Sequence, residues 1–247
     1  MTVEMSCAKP MFGPEHADVY EVTYRSRGKD WAAEARDVTN LIRRRRPNAS
    51  SLLDVACGTG AHLETFRTCF EHVEGVEVAP AMRDRAVRRL PGVPIHPQDM
   101  RTLDLNHSYD AVTCLCTAVG YLNTVEEMRV VVQRMADHLM VGGMLFVEPW
   151  WLPEQYIDHY VGSDLVHDGD RVLARVSYTE KRDRAAHMQV RWLVGDPSGL
   201  RSFDIVEVFT LFTREEYLAA FEDAGCTAHY QLGWLTGRGI FVGIRRG

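Results

Sequence analysis

The sequence predicts an α/β fold, a doubly wound parallel sheet that carries an antiparallel β insertion. Three observations carry this. Short apolar strands alternate with amphipathic helices as far as Trp151. The first strand ends in a glycine-bearing turn, Asp54-Val-Ala-Cys-Gly-Thr-Gly60, that opens a helix. Beyond Trp151 strands follow one another with short connections and no crossover helix, so they should pair antiparallel.

Residues 14–46 read as helix, stopped by Pro47, with Arg43 to Arg46 complementing the C-terminal dipole. Ser50 to Ala56 is the first strand and Ala61 to Phe70 its helix. Val73 to Val78 is a strand, Ala81 to Arg89 a helix, and Val93 to His96 a short strand. The fourth strand spans Asp110 to Cys116, with Cys114 and Cys116 alternating onto one face. Thr124 and Glu127 form a capping box. The helix they open carries Met128, Val131, Val132, Met135 and Leu139 at helical spacing and should end at Gly142-Gly143. Met144 to Glu148 is the fifth strand. Arg171 to Tyr178, Ala186 to Val194 and Phe203 to Phe212 are the antiparallel strands. Thr213 and Glu216 cap a second helix, with Tyr217, Ala220 and Phe221 inward and a stop at Gly225. Two strands, Ala228 to Leu232 and Ile240 to Ile244, complete the chain.

With 247 residues, 46% of them hydrophobic, the chain can bury a full core and is neither disordered nor fibrous. Its net charge of −6 leaves no basic footprint for nucleic acid. No apolar run approaches the roughly 18 residues of a membrane span. The N-terminus reads as neither an export nor a transit signal, so a cytoplasmic location with reduced thiols is expected. The six cysteines form no CxxC pair, and no metal cluster is expected.

Gly58 and Gly60 let backbone turn tightly and approach a ligand closely. A dinucleotide fingerprint would need a third glycine where Leu63 stands, and no Lys-Ser/Thr follows to make a P-loop. Asp54 before the turn would repel a phosphate but can receive an ammonium group. Glu77, at the end of the second strand, can accept from both ribose hydroxyls. Asp99, or its neighbouring amide, can read an adenine edge, with Met82 and Met100 as soft apolar surfaces for the ring. Acids at successive strand ends in this order favour S-adenosylmethionine. Ala56, Cys57 and Val78 join Asp54, Gly58, Gly60, Glu77, Met82, Asp99 and Met100 as candidate cofactor residues. A nicotinamide oxidoreductase on a similar sheet is the alternative of another class.

At these residues the chain resembles class I S-adenosylmethionine-dependent methyltransferases. It also carries ADVYE, RGKDWAAEA, VGYL at Val119–Leu122, FVEPWW at Phe146–Trp151, TLFTREEYLAAFEDAG and GRGIFVG. With these it resembles the N-methyltransferases of antibiotic deoxyamino-sugar biosynthesis, and the related lincosamide N-methyltransferases, over about residues 12–245. The resemblance implies that the N-terminal helix closes over the cofactor and that Tyr20 hydrogen-bonds its methionine end. Trp31 stands where several members have tyrosine, and is taken as a cofactor residue. Phe12 stands where members often have a second tyrosine, and with Tyr24 it is taken to face substrate. Tyr121, Trp150 and Trp151 are placed beside the acceptor, and Arg238 matches an arginine that can contact a pyrophosphate. Glu148 falls at the end of the fifth strand on the same side. The segment Gly233-Trp-Leu-Thr-Gly-Arg-Gly239 departs from the family's usual form, which leaves room for a second acceptor, a late antibiotic amine such as an N-demethyllincosamide.

An aliphatic amine must lose a proton before it attacks. Burial can lower its pKa, and Tyr121 or Glu148 could take or relay the proton. Positioning is expected to be the main contribution, with Tyr121, Glu148 and Tyr20 as the candidate catalytic residues. Residues 1–11 are expected to form a flexible tail and 12–151 the cofactor-binding core. Residues 152–212 should form a substrate cap over the sheet, and 213–247 the helix and strands that complete the core. Partners are a small-molecule amine and, for a homo-oligomer, further copies of the chain, with no nucleic acid or membrane.

Overall fold

The computed structural model describes residues 11–234 and 237–247. The expected tail, apart from Met11, lies outside the described residues, as do Cys7, Leu235 and Thr236. In chain order the helices are α1 (Pro14–Ser26), α2 (Trp31–Arg45), α3 (Leu63–Cys69), α4 (Pro80–Arg89), α5 (Val125–Asp137) and α6 (Arg214–Asp223). The first five strands are β1 (Ser51–Val55), β2 (His72–Val76), β3 (Ile95–His96), β4 (Tyr109–Cys114) and β5 (Leu139–Val147). They are followed by β6 (Tyr160–Asp168), β7 (Arg171–Arg182), β8 (Ala185–Asp196), β9 (Gly199–Thr210), β10 (Cys226–Gln231) and β11 (Ile240–Arg245). Two compact units result. One joins Asp30–Gln155 to Thr210–Gly247, the other joins Tyr156–Phe209 to the described chain up to Lys29.

The larger unit holds a seven-stranded sheet in the order β10-β11-β5-β4-β1-β2-β3. β1 pairs parallel with β2 and β4, and β4 with β5. β11 alone is reversed, antiparallel to both β5 and β10. The chain order turns about at β1 and β4, which makes the crevice at their carboxyl ends the ligand position of a doubly wound sheet. Alternation along each strand supplies two cores. Leu53, Val112, Leu145 and Val147 pack with α5 and α6 through Met128, Val132, Tyr217 and Phe221. Leu52, Ala111, Met144 and Phe146 pack with α2 and α3 through Val38, Ile42, Leu63 and Phe66. Each fully buried side chain of this size contributes roughly 1.5–3 kcal/mol.

The elements depart from the sequence reading at five places. The helix expected over 14–46 is two helices. Gly28 adopts φ +83°, and the Asp30 carboxylate accepts from Ala33 N–H at 2.8 Å to start α2 afresh. α5 ends at Asp137, not at Gly142-Gly143. Leu139 already pairs with Tyr109, and the glycines fall in a register shift before Met144 pairs with Ala111. Cys116 does not share a strand face with Cys114, because β4 stops at Cys114 and Cys116 turns to φ +53°. β6 was unforeseen, since its polar residues hide its alternation. The capping box at Thr213 and Glu216 is complete. Thr124 caps α5 alone, because Glu127 accepts from the Asn123 N–H instead.

In the smaller unit β6, β7 and β8 pair antiparallel, with β9 beyond β8. One face buries Val166, Leu173, Val190, Trp192, Val194, Phe203 and Ile205 against Val19 of α1. α1 is therefore grouped with the antiparallel sheet, whereas the sequence reading placed it with residues 12–151. Arg27 at the end of α1 reinforces this with an ion pair to Asp164 of β6. The opposite face carries Leu165, Val176 and Leu193 exposed.

Candidate active site

β1 delivers Asp54 to the end of the sheet at 1% exposure. Across the β1–β4 seam Thr113 is its register partner, and the Thr113 hydroxyl donates to Asp54 Oδ1 at 2.7 Å. Asp54 Oδ2 is buried with no hydrogen-bond partner among the described residues. Burial pushes this carboxyl up to about 6, against the pull of His62 and the Thr113 hydroxyl.

The turn that follows runs through three left-handed residues, Ala56 at φ +56°, Gly58 at +59° and Gly60 at +77°. For alanine that conformation costs roughly 1–2 kcal/mol. Surrounding bonds hold it in place, with Cys57 N–H donating to Val76 O at 2.9 Å and Gly58 N–H to Glu77 Oε2 at 2.8 Å. A Cβ on Gly60 would stand 2.8 Å from Leu90 Cδ1, so α4 can approach only a glycine. Buried Met82 lies beneath Gly58. Cys57 is buried, and burial drives its thiol well above the ordinary range, so it acts as a small apolar group.

Glu77 also accepts from Ala79 N–H at 2.7 Å. One carboxylate thus ties the glycine turn to the start of α4 and keeps a second lone pair on each oxygen for hydroxyl donors. Burial pushes its carboxyl up, opposed by the two N–H donors. Val78 beside it is exposed. Asp99 is bound by the Arg101 guanidinium through Nε at 3.0 Å and Nη2 at 2.7 Å, and by the Arg101 N–H at 2.8 Å. The guanidinium holds its carboxyl below the ordinary range. Met100 follows it, partly buried against the core.

On the other side of the switch point the chain leaves β4 through two consecutive left-handed residues, Cys116 at φ +53° and Thr117 at +65°. Glu148, at 0% exposure just past β5, accepts the Cys116 N–H on Oε2 at 2.8 Å. Its Oε1 lies 3.7 Å from Arg238 Nη1. The Arg238 guanidinium sits over the Trp151 ring, 4.9 Å from its centroid, while Trp150 is buried. Tyr121 is half-buried at the end of a short 3-10 turn, Ala118–Tyr121.

The cofactor candidates Asp54, Ala56, Cys57, Gly58, Gly60, Glu77, Val78, Met82, Asp99 and Met100 therefore lie at or just beyond the carboxyl ends of β1, β2 and β3, and Trp31 is buried at the start of α2. Phe12, Tyr20 and Tyr24 belong to the other unit. There they form an aromatic row on α1 with His16, stacked on Phe12 at 5.0 Å between ring centroids, and with Tyr20–Tyr24 at 4.7 Å. Two features escaped the sequence reading. Thr113 is a polar residue within an apolar strand, a signal that could have been used. The buried pair His62–Glu34, 2.8 Å apart between α3 and α2, brings together residues far apart in sequence and has no local signal.

These groups fit S-adenosylmethionine. The orphaned Asp54 Oδ2 suits an ammonium, the spare lone pairs of Glu77 suit ribose hydroxyls, and the glycine turn admits close approach. Among the described residues no group of three or more His, Cys, Asp or Glu could hold a metal ion. No described helix is long and apolar enough to cross a membrane.

Comparison with known proteins agrees with the site. The family described as methyltransferase domain matches residues 52–143. The dTDP-4-amino-2,3,4,6-tetradeoxy-D-glucose N,N-dimethyltransferase of Saccharopolyspora spinosa is 49% identical over 95% of this chain and 94% of its own. The dTDP-3-amino-3,4,6-trideoxy-alpha-D-glucopyranose N,N-dimethyltransferase of Streptomyces venezuelae is 46% identical over 95% of this chain and 99% of its own. Among solved structures, SAM-bound CalS10, an amino pentose methyltransferase from Micromonospora echinaspora involved in calicheamicin biosynthesis, is 56% identical. It superposes with a TM-score of 0.87, covering 97% of this chain and 100% of that one.

Proposed function

The chain belongs to the S-adenosylmethionine-dependent N-methyltransferases that act on amino sugars in antibiotic pathways, and from that premise we propose that its acceptor is a nucleotide-linked deoxyamino sugar. Membership of this family overturns the nicotinamide alternative. The observation that carries the acceptor reading is Arg238, a guanidinium laid over Trp151 beside buried Trp150, a cation framed by aromatic surface. That arrangement suits a diphosphate next to a deoxygenated, partly apolar sugar.

In this reading Asp54 receives the ammonium of the methionine end and Glu77 the ribose hydroxyls. The adenine rests on Val78, Met82 and Met100, with Asp99 or the adjoining amide at its edge. The cofactor supplies an electrophilic methyl group when bound. The chain's own work is to hold the amine in line with that methyl and to keep it unprotonated. Tyr121, on the loop following β4, is the residue we assign to accept or relay the amine proton. From the family resemblance we assign Tyr20 to the methionine end and Trp31 to the cofactor. On the same resemblance, Phe12, Tyr24 and residues 152–212 are assigned to selection of the sugar. We place the enzyme in the cytoplasm, as a homodimer assembled on the exposed face of the antiparallel sheet.

The test is mass spectrometry of turnover with nucleotide-linked 3-amino and 4-amino sugars and an N-demethyllincosamide. A gain of one or two methyls on a nucleotide-linked sugar is expected. A gain on the lincosamide alone would replace this acceptor with the late-antibiotic one.

A further inference from the structure

We infer that Glu148 is a positioning residue, which ties Arg238 on the acceptor side to the left-handed turn at Cys116 and Thr117 and does not itself take the acceptor's proton. This rests on the acceptor reading above. Glu148 has no exposed surface, and the one charged group that the described residues set against it is the Arg238 guanidinium. Its Oε2 holds the Cys116 N–H at 2.8 Å, while its Oε1 makes no hydrogen bond among the described residues and meets Arg238 Nη1 by charge alone, at 3.7 Å.

Each end of this link is held by further contacts. On one side, Cys116 and Thr117 occupy a conformation that non-glycine residues adopt only where neighbours impose it. The Glu148 carboxylate is the neighbour that satisfies the amide at the start of that turn. Glu148 N–H in turn donates to Cys114 O at 3.0 Å, so strand ends β4 and β5 are laced together there. On the other side, the Tyr230 hydroxyl donates to Arg238 O at 2.7 Å. Gly239 follows at φ +78°, where a Cβ would land inside the Tyr230 ring. The backbone of Arg238 is therefore set by Tyr230, and its guanidinium by the face of Trp151 and the charge of Glu148. One carboxylate sets both the loop that carries Tyr121 and the angle of the cation that meets the acceptor. Binding at Arg238 is thereby coupled to the geometry of the transfer locus.

Glu148→Gln separates the two links. Its amide oxygen can still accept the Cys116 N–H, but its NH2 then meets a guanidinium, donor against donor. Steady-state methylation of the nucleotide-linked amine by the full chain should show acceptor KM raised about tenfold or more with kcat within about threefold. The acid limb of the kcat–pH profile should not move. Glu148→Gln combined with Arg238→Ala should be no weaker than Arg238→Ala alone. Glu148→Gln with acceptor KM unchanged overturns the coupling. A fall in kcat of more than about a hundredfold, with KM unchanged and the acid limb lost, makes Glu148 the base and overturns it equally. Amide exchange at Cys116 reads the turn without turnover. Protection is expected in the native chain and in Glu148→Gln and is lost in Glu148→Ala, and an unprotected Cys116 in the native chain overturns the link. Should Glu148→Gln fail to fold, Arg238→Lys leaves Glu148 and Cys116 intact and must reproduce the rise in KM. A native chain inactive on every nucleotide-linked amine overturns the acceptor reading and leaves the Cys116 exchange result to decide the link.

Discussion

Thr113 and Asp54 are register partners on adjacent parallel strands, and the Thr113 hydroxyl spends its hydrogen on Asp54 Oδ1 at 2.7 Å. The bond orients a buried carboxylate so that its other oxygen is the one left to meet a ligand. The hydroxyl and the charge of His62 together offset part of the cost of holding that charge in the sheet.

Cofactor affinity should therefore depend on pH through Asp54. Its carboxyl sits at about 6 because of burial, and an ammonium needs the ionised form. Affinity for S-adenosylhomocysteine, read by calorimetry, should weaken as pH falls below about 6. Asp54→Asn should abolish that limb and cost about 10–100-fold in affinity, the range for a charge-assisted hydrogen bond. Thr113→Val removes a bond that favours the charged form, so the limb should move to higher pH. The ligand-free protein should respond with the opposite sign. The folded state holds its proton to higher pH than the unfolded chain, so this carboxyl costs stability, about 3 kcal/mol, as pH rises from about 4 to above 6.

Gly60→Ala should destabilise far more than Gly58→Ala. Both positions are left-handed, and each would pay roughly 1–2 kcal/mol for that alone. Only at Gly60 does the new methyl meet packed groups, 2.8 Å from Leu90 Cδ1 and 3.2 Å from Ala86 Cβ. At Gly58 it would meet Met82 Cε at an ordinary 3.6 Å. Thermal melts of the two variants should separate by several degrees, and equal melting points would mean that α4 shifts to make room.

The contrast between these groups shows what could be read from the chain itself. Asp54, Glu77 and Asp99 were legible because each stands at the end of a patterned strand, where the fold class alone says a ligand lies. The companions that set their geometry were less so. Arg101 straddles Asp99 and Glu77 holds the Gly58 N–H, and such bonds depend on backbone paths that composition does not encode. β6 was missed because only its inward residues are constrained, and Asp164 among them is there for Arg27 and Arg175 rather than for a core. Tyr20, Phe12 and Tyr24 were named through the family resemblance, but the grouping of α1 with the antiparallel sheet depends on Val19 meeting strands far along the chain.

His16 should make the smaller unit acid-sensitive. It is buried, and desolvation together with the charge of Arg175 lowers its pKa to about 4. Between about 4 and 6.5 the folded state holds fewer protons on it than the unfolded chain does. The resulting stability, about 3 kcal/mol, is whole above 6.5 and is lost as pH falls towards 4. An NMR titration of the native chain should find this imidazole neutral down to about pH 4. His16→Phe, stacked on Phe12 in the same way, should flatten the acid loss. A His16 resonance titrating near 6.5 would mean that the ring is solvated and the row on α1 open.

The exposed sheet face should decide the assembly state. Leu165, Ala174 and Leu193 are register neighbours across β6, β7 and β8, and the two leucines are 69% and 46% exposed. Val176 and, on β9, Val206 and Val208 extend the patch, while the Arg191–Asp204 ion pair crosses it. An apolar face of this extent on an open sheet is unusual for a monomer, and a second copy can cover it through its own identical face. Sedimentation of the native chain should give a dimer. Leu165→Asp and Leu193→Asp should give monomers whose melting temperature falls only by what the dimer contact supplied, since neither side chain serves the inner core. Leu173→Asp, one position from Ala174 but turned inward, should instead unfold the unit, because Leu173 is fully buried with Trp192 and Phe203. If the native chain sediments as a monomer at micromolar concentration, the face is not a subunit contact.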